Sequence, residues 1–356
     1  MPGPIDFIKE DGHGREAPMT IDMHAHWFPD TLADAFRQRT SKPRVYTKED
    51  GKEYLESTFA PAVLRLEDLE ARVAEMDRTG VERGILSLSP VTGIEGLPAA
   101  ESVPLCRITN DALSAACVKY PGRFSALASL PTADTGVMLA EFERAMALPG
   151  IVGAMLAGDG FLSLKRAERF RPVLEAADRY GAIMLVHYGR IANDAEPIKV
   201  DSSDNGHPRV GTLDMQARLS QNMITFCLTD FLKSFPNVTV LSHNLGGNIP
   251  FEIERMDHRT MIDMPPGTEL PSKKFRAAPV LVDCNSLGAR AIELAAEVYG
   301  ADKIVFGSDG TGFGMEWTQK AINEARLTEN ERESIRHNNA AAALARVKRP
   351  MAAAAE

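Results

Sequence analysis

The chain has 356 residues, 44% of them hydrophobic, enough for a large core at the upper end of single-domain size. Its formal net charge is −9 with both signs interleaved, so no basic stripe offers itself to nucleic acid or to an anionic membrane. No apolar stretch reaches bilayer length, and the polar first eighteen residues lack the apolar centre of a signal peptide, which makes a cytoplasmic protein the expectation. Cys106, Cys117, Cys227 and Cys284 are scattered without C-x-x-C spacing and read as core thiols.

Short runs rich in Val, Ile, Leu and Ala recur at 20–24, 84–88, 124–129, 151–156, 182–187, 238–243, 280–283 and 303–306. They are continuous rather than alternating, the pattern of strands buried on both faces of a parallel sheet. Helical patterns fall between them, at 64–79, 110–119, 136–148, 168–180, 213–234, 250–261, 289–299 and 315–327, with a terminal helix at 329–347. Pro-Gly pairs or single glycines stop several of these. Eight strands alternating with helices predict a (β/α)8 barrel over 19–347, with a doubly wound open sheet as the alternative.

Three segments exceed a minimal barrel. Residues 1–18 form an irregular leader, 39–61 an insertion after the first strand with the look of a small hairpin, and 189–211 a long polar loop after the fifth. Loops after barrel strands lie over the mouth, where substrate contacts are made. Residues 348–356 read as a flexible tail.

Four of the runs end in residues that bind metals. His24 and His26 lie two apart on a strand and so share a face. His187 ends the fifth run, His243 the sixth, and Asp309 follows the eighth. Any one histidine alone is more simply a satisfied core group, but the five together at strand ends point to one divalent ion. Imidazole with carboxylate suits zinc, and manganese is the alternative. A barrel brings these strand ends to one pocket; an open sheet would not.

Asp22-x-His24-x-His26, Val186-His187, Ser242-His243 with Gly246-Gly247, and Gly307-Ser308-Asp309 resemble the metal-dependent amidohydrolase superfamily. The segments 75–81, 120–124 and 235–238 are similar to the branch around aminocarboxymuconate-semialdehyde decarboxylase, and the likeness runs from about residue 20 to 347. The resemblance implies that His24, His26, His187 and Asp309 hold the metal and that His243 stands beside it as proton donor and acceptor. It also implies a homodimer or higher even oligomer. The chain departs from that branch after its strand ends. Tyr188-Gly-Arg190 replaces a Pro-Trp pair, Asn244-Leu precedes the two glycines, and Gly310-Thr311 replaces a tyrosine-proline pair.

Those departures mark the substrate wall. Arg190 is placed to grip a carboxylate through its planar guanidinium, with Tyr188 beside it; the competing reading pairs it with Asp194 or Glu196 within the loop. Asn244 and Asn285 are further candidates for substrate contact. The expected activity is metal-dependent, non-oxidative decarboxylation of a small aromatic or unsaturated carboxylic acid, with His243 and Asp309 handling the proton. A metal-hydroxide hydrolase or hydratase would use the same ligands, and a non-catalytic binding barrel is the third reading.

Overall fold

The computed structural model describes residues 20–57, 61–192, 203–310 and 314–348. Eleven strands follow in chain order: β1 (Thr20–His26), β2 (Arg44–Thr47), β3 (Glu53–Glu56), β4 (Ala62–Val63), β5 (Val81–Ser87), β6 (Phe124–Ala128), β7 (Ile151–Ala157), β8 (Ile183–His187), β9 (Thr239–Ser242), β10 (Val280–Asp283) and β11 (Ile304–Val305). Eight of them form one parallel sheet in the order β1-β5-β6-β7-β8-β9-β10-β11. The order never reverses, which removes the doubly wound alternative. The ring closes where Met23 N donates to Phe306 O at 2.9 Å and Asp309 N to His24 O at 2.8 Å. The result is a (β/α)8 barrel.

The strands are apolar on both faces because each packs into two layers. Ile21, Met23, Ile85, Leu127, Ile183, Leu185, Leu241 and Val305 fill the barrel interior, closed below by Ala340 and Ala343 of the terminal helix. Met184, Val186 and Val240 face outward to the helices, with Phe142, Phe170, Phe226 and Tyr299 in the same layer. Each fully buried Leu or Ile contributes about 1.5–3 kcal/mol relative to exposure.

A break in β1 decides where the histidine pair points. Its register with β5 shifts between Asp22 and Ala25. Ile21 and Met23 face the interior, whereas Ala25 packs in the outer layer. The strand's alternation is thus reset at the shift, and His24 and His26 join the interior face.

Several boundaries differ from the sequence expectation. The first expected helix starts at Leu69, not 64, because Asp68 caps it, accepting from Glu70 N at 3.0 Å. Residues 62–63 are drawn instead into β4, so the insertion is a three-stranded antiparallel sheet, β2-β3-β4, rather than a hairpin. The helix expected at 110–119 begins at Ala99 and carries Pro104 within it, a residue that masks helical pattern in a sequence. The helices Asp30–Arg37 and Pro271–Ala277 have no counterpart among the expected ones, nor do the short turns of helix at Leu164–Ala167 and Gly206–Pro208. The terminal helix is interrupted by a π-type turn at Ser334–Asn338. That turn frees Ile335 O to accept Phe306 N at 2.8 Å, tying the helix to the end of β11.

Candidate metal centre

Every strand end named by the sequence arrives at one place. His24 Nε2 lies 3.2 Å from His26 Nε2, which lies 3.3 Å from His187 Nε2. Asp309 Oδ1 is 3.4 Å from His24 Nε2, 3.2 Å from His26 Nε2 and 3.8 Å from His187 Nε2. His243 Nε2 is 4.0 Å from Asp309 Oδ2. Donor atoms of His24, His187, His243 and Asp309 all fall within 4.8 Å of one another, and His26 sits as close to three of them. The residues form a site of histidines and one aspartate fit for a single divalent ion.

The outward nitrogens separate the four histidines. His24 Nδ1 donates to Asp283 Oδ2 at 3.0 Å, His26 Nδ1 to Ser87 Oγ at 3.0 Å, and His187 Nδ1 to the Tyr188 carbonyl at 2.8 Å. Ser87 can accept from His26 because its own hydroxyl donates to Ala25 O at 3.3 Å. Each of these three rings therefore commits its Nδ1 on the outside and turns Nε2 inward, the orientation of metal-bound imidazoles. His243 is different. It is buried and stacked on His187 with ring centroids 3.9 Å apart, and neither ring nitrogen has a hydrogen-bond partner among the described residues.

Burial and charge pull the rings apart electrostatically. Burial works against the charged form of His24, but Asp283, Asp309 and Asp22 raise its pKa to about 9. Burial lowers His26 to about 4, with Asp309 opposing and His24 and His187 adding to the fall. His243 is driven well below the ordinary histidine value, first by burial and then by His187 and His24. Burial disfavours the charge on Asp309, yet contacts with His187 and His26 and the field of the other histidines hold it far below the carboxylate range. An ionised carboxylate among converging Nε2 atoms, with a proton on His24 that a bound cation would displace, is a cation site.

Strain gathers here too. Among non-glycine residues with positive φ, Asn244 (49°), Leu245 (52°), Ser286 (51°) and Asp309 (59°) all follow the strands β9, β10 and β11. Asp283 links two of these loops: besides His24 it accepts Asn244 N at 3.3 Å and Asn285 N at 3.2 Å on Oδ1.

The candidate substrate residues are placed less uniformly. Asn244 is buried and its Oδ1 has no partner among the described residues, while Nδ2 is 3.9 Å from Met215 Sδ. Asn285 directs Nδ2 at Asp283 and leaves Oδ1 open. Tyr188 is half-buried, its hydroxyl pKa raised chiefly by burial; Arg190 is exposed. Asp194 and Glu196, its alternative partners, lie outside the described residues, as does Thr311.

Sequence reasoning did not single out Ser87 or Arg72. Ser87 has a legible signal, a hydroxyl at the end of an apolar strand. Arg72 has none: on a helix it looks solvated, yet it is buried, pairs with Glu67 and donates to His26 O at 2.6 Å.

An eight-stranded parallel barrel with histidine and aspartate donors at the C-terminal ends of its strands defines a metal-site scaffold of one recognisable class. The chain belongs to the amidohydrolase family, whose model matches residues 21–346. Among curated relatives, gamma-resorcylate decarboxylase of a Rhizobium species is 25% identical over 293 residues, covering 78% of this chain and 87% of the relative. Among solved structures, 5-carboxyvanillate decarboxylase from Sphingomonas paucimobilis superposes with a TM-score of 0.71 at 21% identity, over 93% of this chain and 100% of that one. A dihydroxybenzoic acid decarboxylase from a Polaromonas species, solved with bound manganese and the inhibitor 2-nitroresorcinol, gives 0.67 at 19%, over 92% and 97%.

Proposed function

We propose that this protein is a metal-dependent, non-oxidative decarboxylase of a small aromatic carboxylic acid bearing an oxygen substituent beside the carboxylate. The observation that carries the metal centre is the convergence of three imidazole Nε2 atoms whose Nδ1 positions are all engaged outward. Accordingly His24, His26, His187 and Asp309 are assigned as ligands of one ion, with zinc favoured by the donor set and manganese the alternative held by a relative. The reaction is supported by the relatives, which are named as decarboxylases of dihydroxylated or methoxylated benzoic acids.

A divalent ion would supply Lewis acidity toward the substrate's carboxylate and its neighbouring oxygen. The remaining work falls to protein groups. His243, with both nitrogens uncommitted, and Asp309 beside it handle the proton. As the C–CO2 bond breaks, its electron pair takes a proton that His243 would relay from water, forming a C–H bond as carbon dioxide leaves and hydroxide remains in solvent. Asn244 and Tyr188 would flank the ring, and Arg190 would hold an anionic substituent at the mouth. The chain would act in the cytoplasm as a homodimer or higher even oligomer. Among the described residues no helix is long and apolar enough to cross a membrane.

The test joins metal analysis of the purified protein to a mass-spectrometric screen of hydroxylated benzoic acids. A product lighter by one carbon dioxide, formed only by metal-replete protein, is the expected result. A product heavier by one water would replace decarboxylation with hydration or hydrolysis, and stoichiometrically metal-free protein would remove the centre.

A further inference from the structure

We propose that Asp22 is a positioning residue for the metal centre: through Ser308 it holds Asp309 in a left-handed backbone conformation and locks the β11 ligand onto the β1 histidine pair. The inference rests on the ligand assignment above but concerns two residues outside it.

Asp22 is fully buried on β1. Its Oδ2 accepts the Ser308 hydroxyl at 2.5 Å, and its Oδ1 accepts Ser308 N at 3.0 Å and His24 N at 3.1 Å. The Ser308 hydroxyl oxygen in turn accepts Gly310 N at 3.2 Å. Asp309 is therefore flanked on both sides by bonds that trace to one carboxylate. Its own φ of 59° is costly for a residue with a Cβ, so something must hold it there.

Close packing leaves the loop no slack. A Cβ on Gly307 would come within 3.0 Å of His24 Cβ, and one on Gly310 within 2.5 Å of His26 N. Gly310 also has a φ of 73°, so glycine is required there twice over. The loop thus lies directly on the backbone of the histidine pair, with Ser308 N and Asp309 N reaching His24 O at 3.1 and 2.8 Å.

The chemistry asks for a carboxylate at this point. Asp22 receives three donors and gives none, which suits an acceptor-only group. An asparagine would have to present an amide N–H to one of them. Turned toward the Ser308 hydroxyl, it would force that group to reverse and donate elsewhere, the nearest acceptor being His24 O at 3.5 Å; turned the other way, it would confront Ser308 N and His24 N with a donor. Every bond of Asp22 ends on a ligand's backbone or on the neighbour of a ligand. Its removal should therefore be felt at the metal before it is felt in the fold.

The experiment follows zinc transfer from the full-length, zinc-loaded protein to a chromogenic chelator, with thermal melts alongside. The variants are Asp22→Asn, Ser308→Ala and, as control, Thr318→Val. Thr318 is equally buried and donates to Gly307 O at 3.0 Å in the same loop. Asp22→Asn and Ser308→Ala should weaken zinc affinity roughly ten- to a hundredfold, while Thr318→Val stays within about twofold of wild type at a similar loss of melting temperature. Should Ser308→Ala fail to fold, the nearly isosteric Asp22→Asn decides. Wild-type affinity in folded Asp22→Asn, or an equal loss in Thr318→Val, overturns the latch while leaving the metal centre standing. A wild-type protein that holds no zinc or manganese overturns the centre itself.

Discussion

His243 and His24 are both buried histidines at strand ends, and only their hydrogen bonds tell them apart. His24 is braced by Asp283 through Nδ1, whereas His243 has neither nitrogen engaged by the described residues. The difference predicts two phenotypes. His24→Ala should lose both bound metal and turnover. His243→Ala should keep its metal and lose about 10²–10⁴ in turnover, the range for removing a general acid–base group. Parallel metal loss in the two variants would make His243 a ligand. Arg190 is the other residue whose role can be decided singly. As a carboxylate grip, Arg190→Ala should cost about 1.5–3 kcal/mol, seen as a raised KM, and Arg190→Lys should recover only part because lysine lacks the planar fork. An unchanged KM with a slightly lower melting temperature would assign it to its own loop.

At the level of elements, the turn after β5 carries a buried acid with a measurable signature. Glu95 sits in the 3-10 turn Ile94–Gly96 against the helix Ala99–Lys119, and its Oε1 has no partner among the described residues. Burial lifts its pKa to about 7, and the nearby backbone and the Ser129 hydroxyl offset little of that. In the unfolded chain it titrates near the ordinary glutamate value of about 4.3. Between those two values the folded protein binds the extra proton, so stability is fully present below the lower one and falls as pH rises through about 7. The full loss is roughly 3.5 kcal/mol. Glu95→Gln should therefore be more stable than wild type at pH 8 and nearly equal at about pH 4, measured by urea unfolding. Equal midpoint differences at both pH values would contradict a neutral, buried Glu95.

At the scale of the whole molecule, the described residues leave an apolar surface open. On the helix Ile249–Asp263, Phe251 is 80% exposed, Met261 63% and Ile262 60%. Scattered exposed side chains are ordinary, but three large ones on one helix, with Met264 just beyond, mark a face suited to association. Light scattering at micromolar concentration should return a dimer or higher even oligomer, and Phe251→Asp should shift the mass toward monomer if this face is used. A wild-type monomer would end the expectation. Ile5, Phe7 and Ile8 of the leader, three more apolar side chains on the sequence, lie outside the described residues.

Fold class and ligand types were legible in the sequence because both are local. An unbroken apolar run reports burial on two faces, and its last residue must lie at the mouth if the strands close into a barrel. The residues at the ends of β1, β8 and β9 and just beyond β11 could be named that way without coordinates. The inward face of His24 and His26 could not, since it depends on a register shift against β5, a partner far away in sequence. Nor could the division of labour among four histidines. Ser87 and Asp283 reach their rings from 61 and 259 residues away, the Tyr188 carbonyl reaches His187 from the next residue, and the fourth ring is left untouched among the described residues. The loop after β11 makes the same point: what Gly307, Ser308 and Gly310 do there is not visible until β11 is laid against β1. There the contact distances and the buried carboxylate of Asp22 show what each is for. Residue type and periodicity determined which metal-binding residue types stand at the strand ends, and the closure of the barrel decided which of their atoms converge and which groups hold them in place.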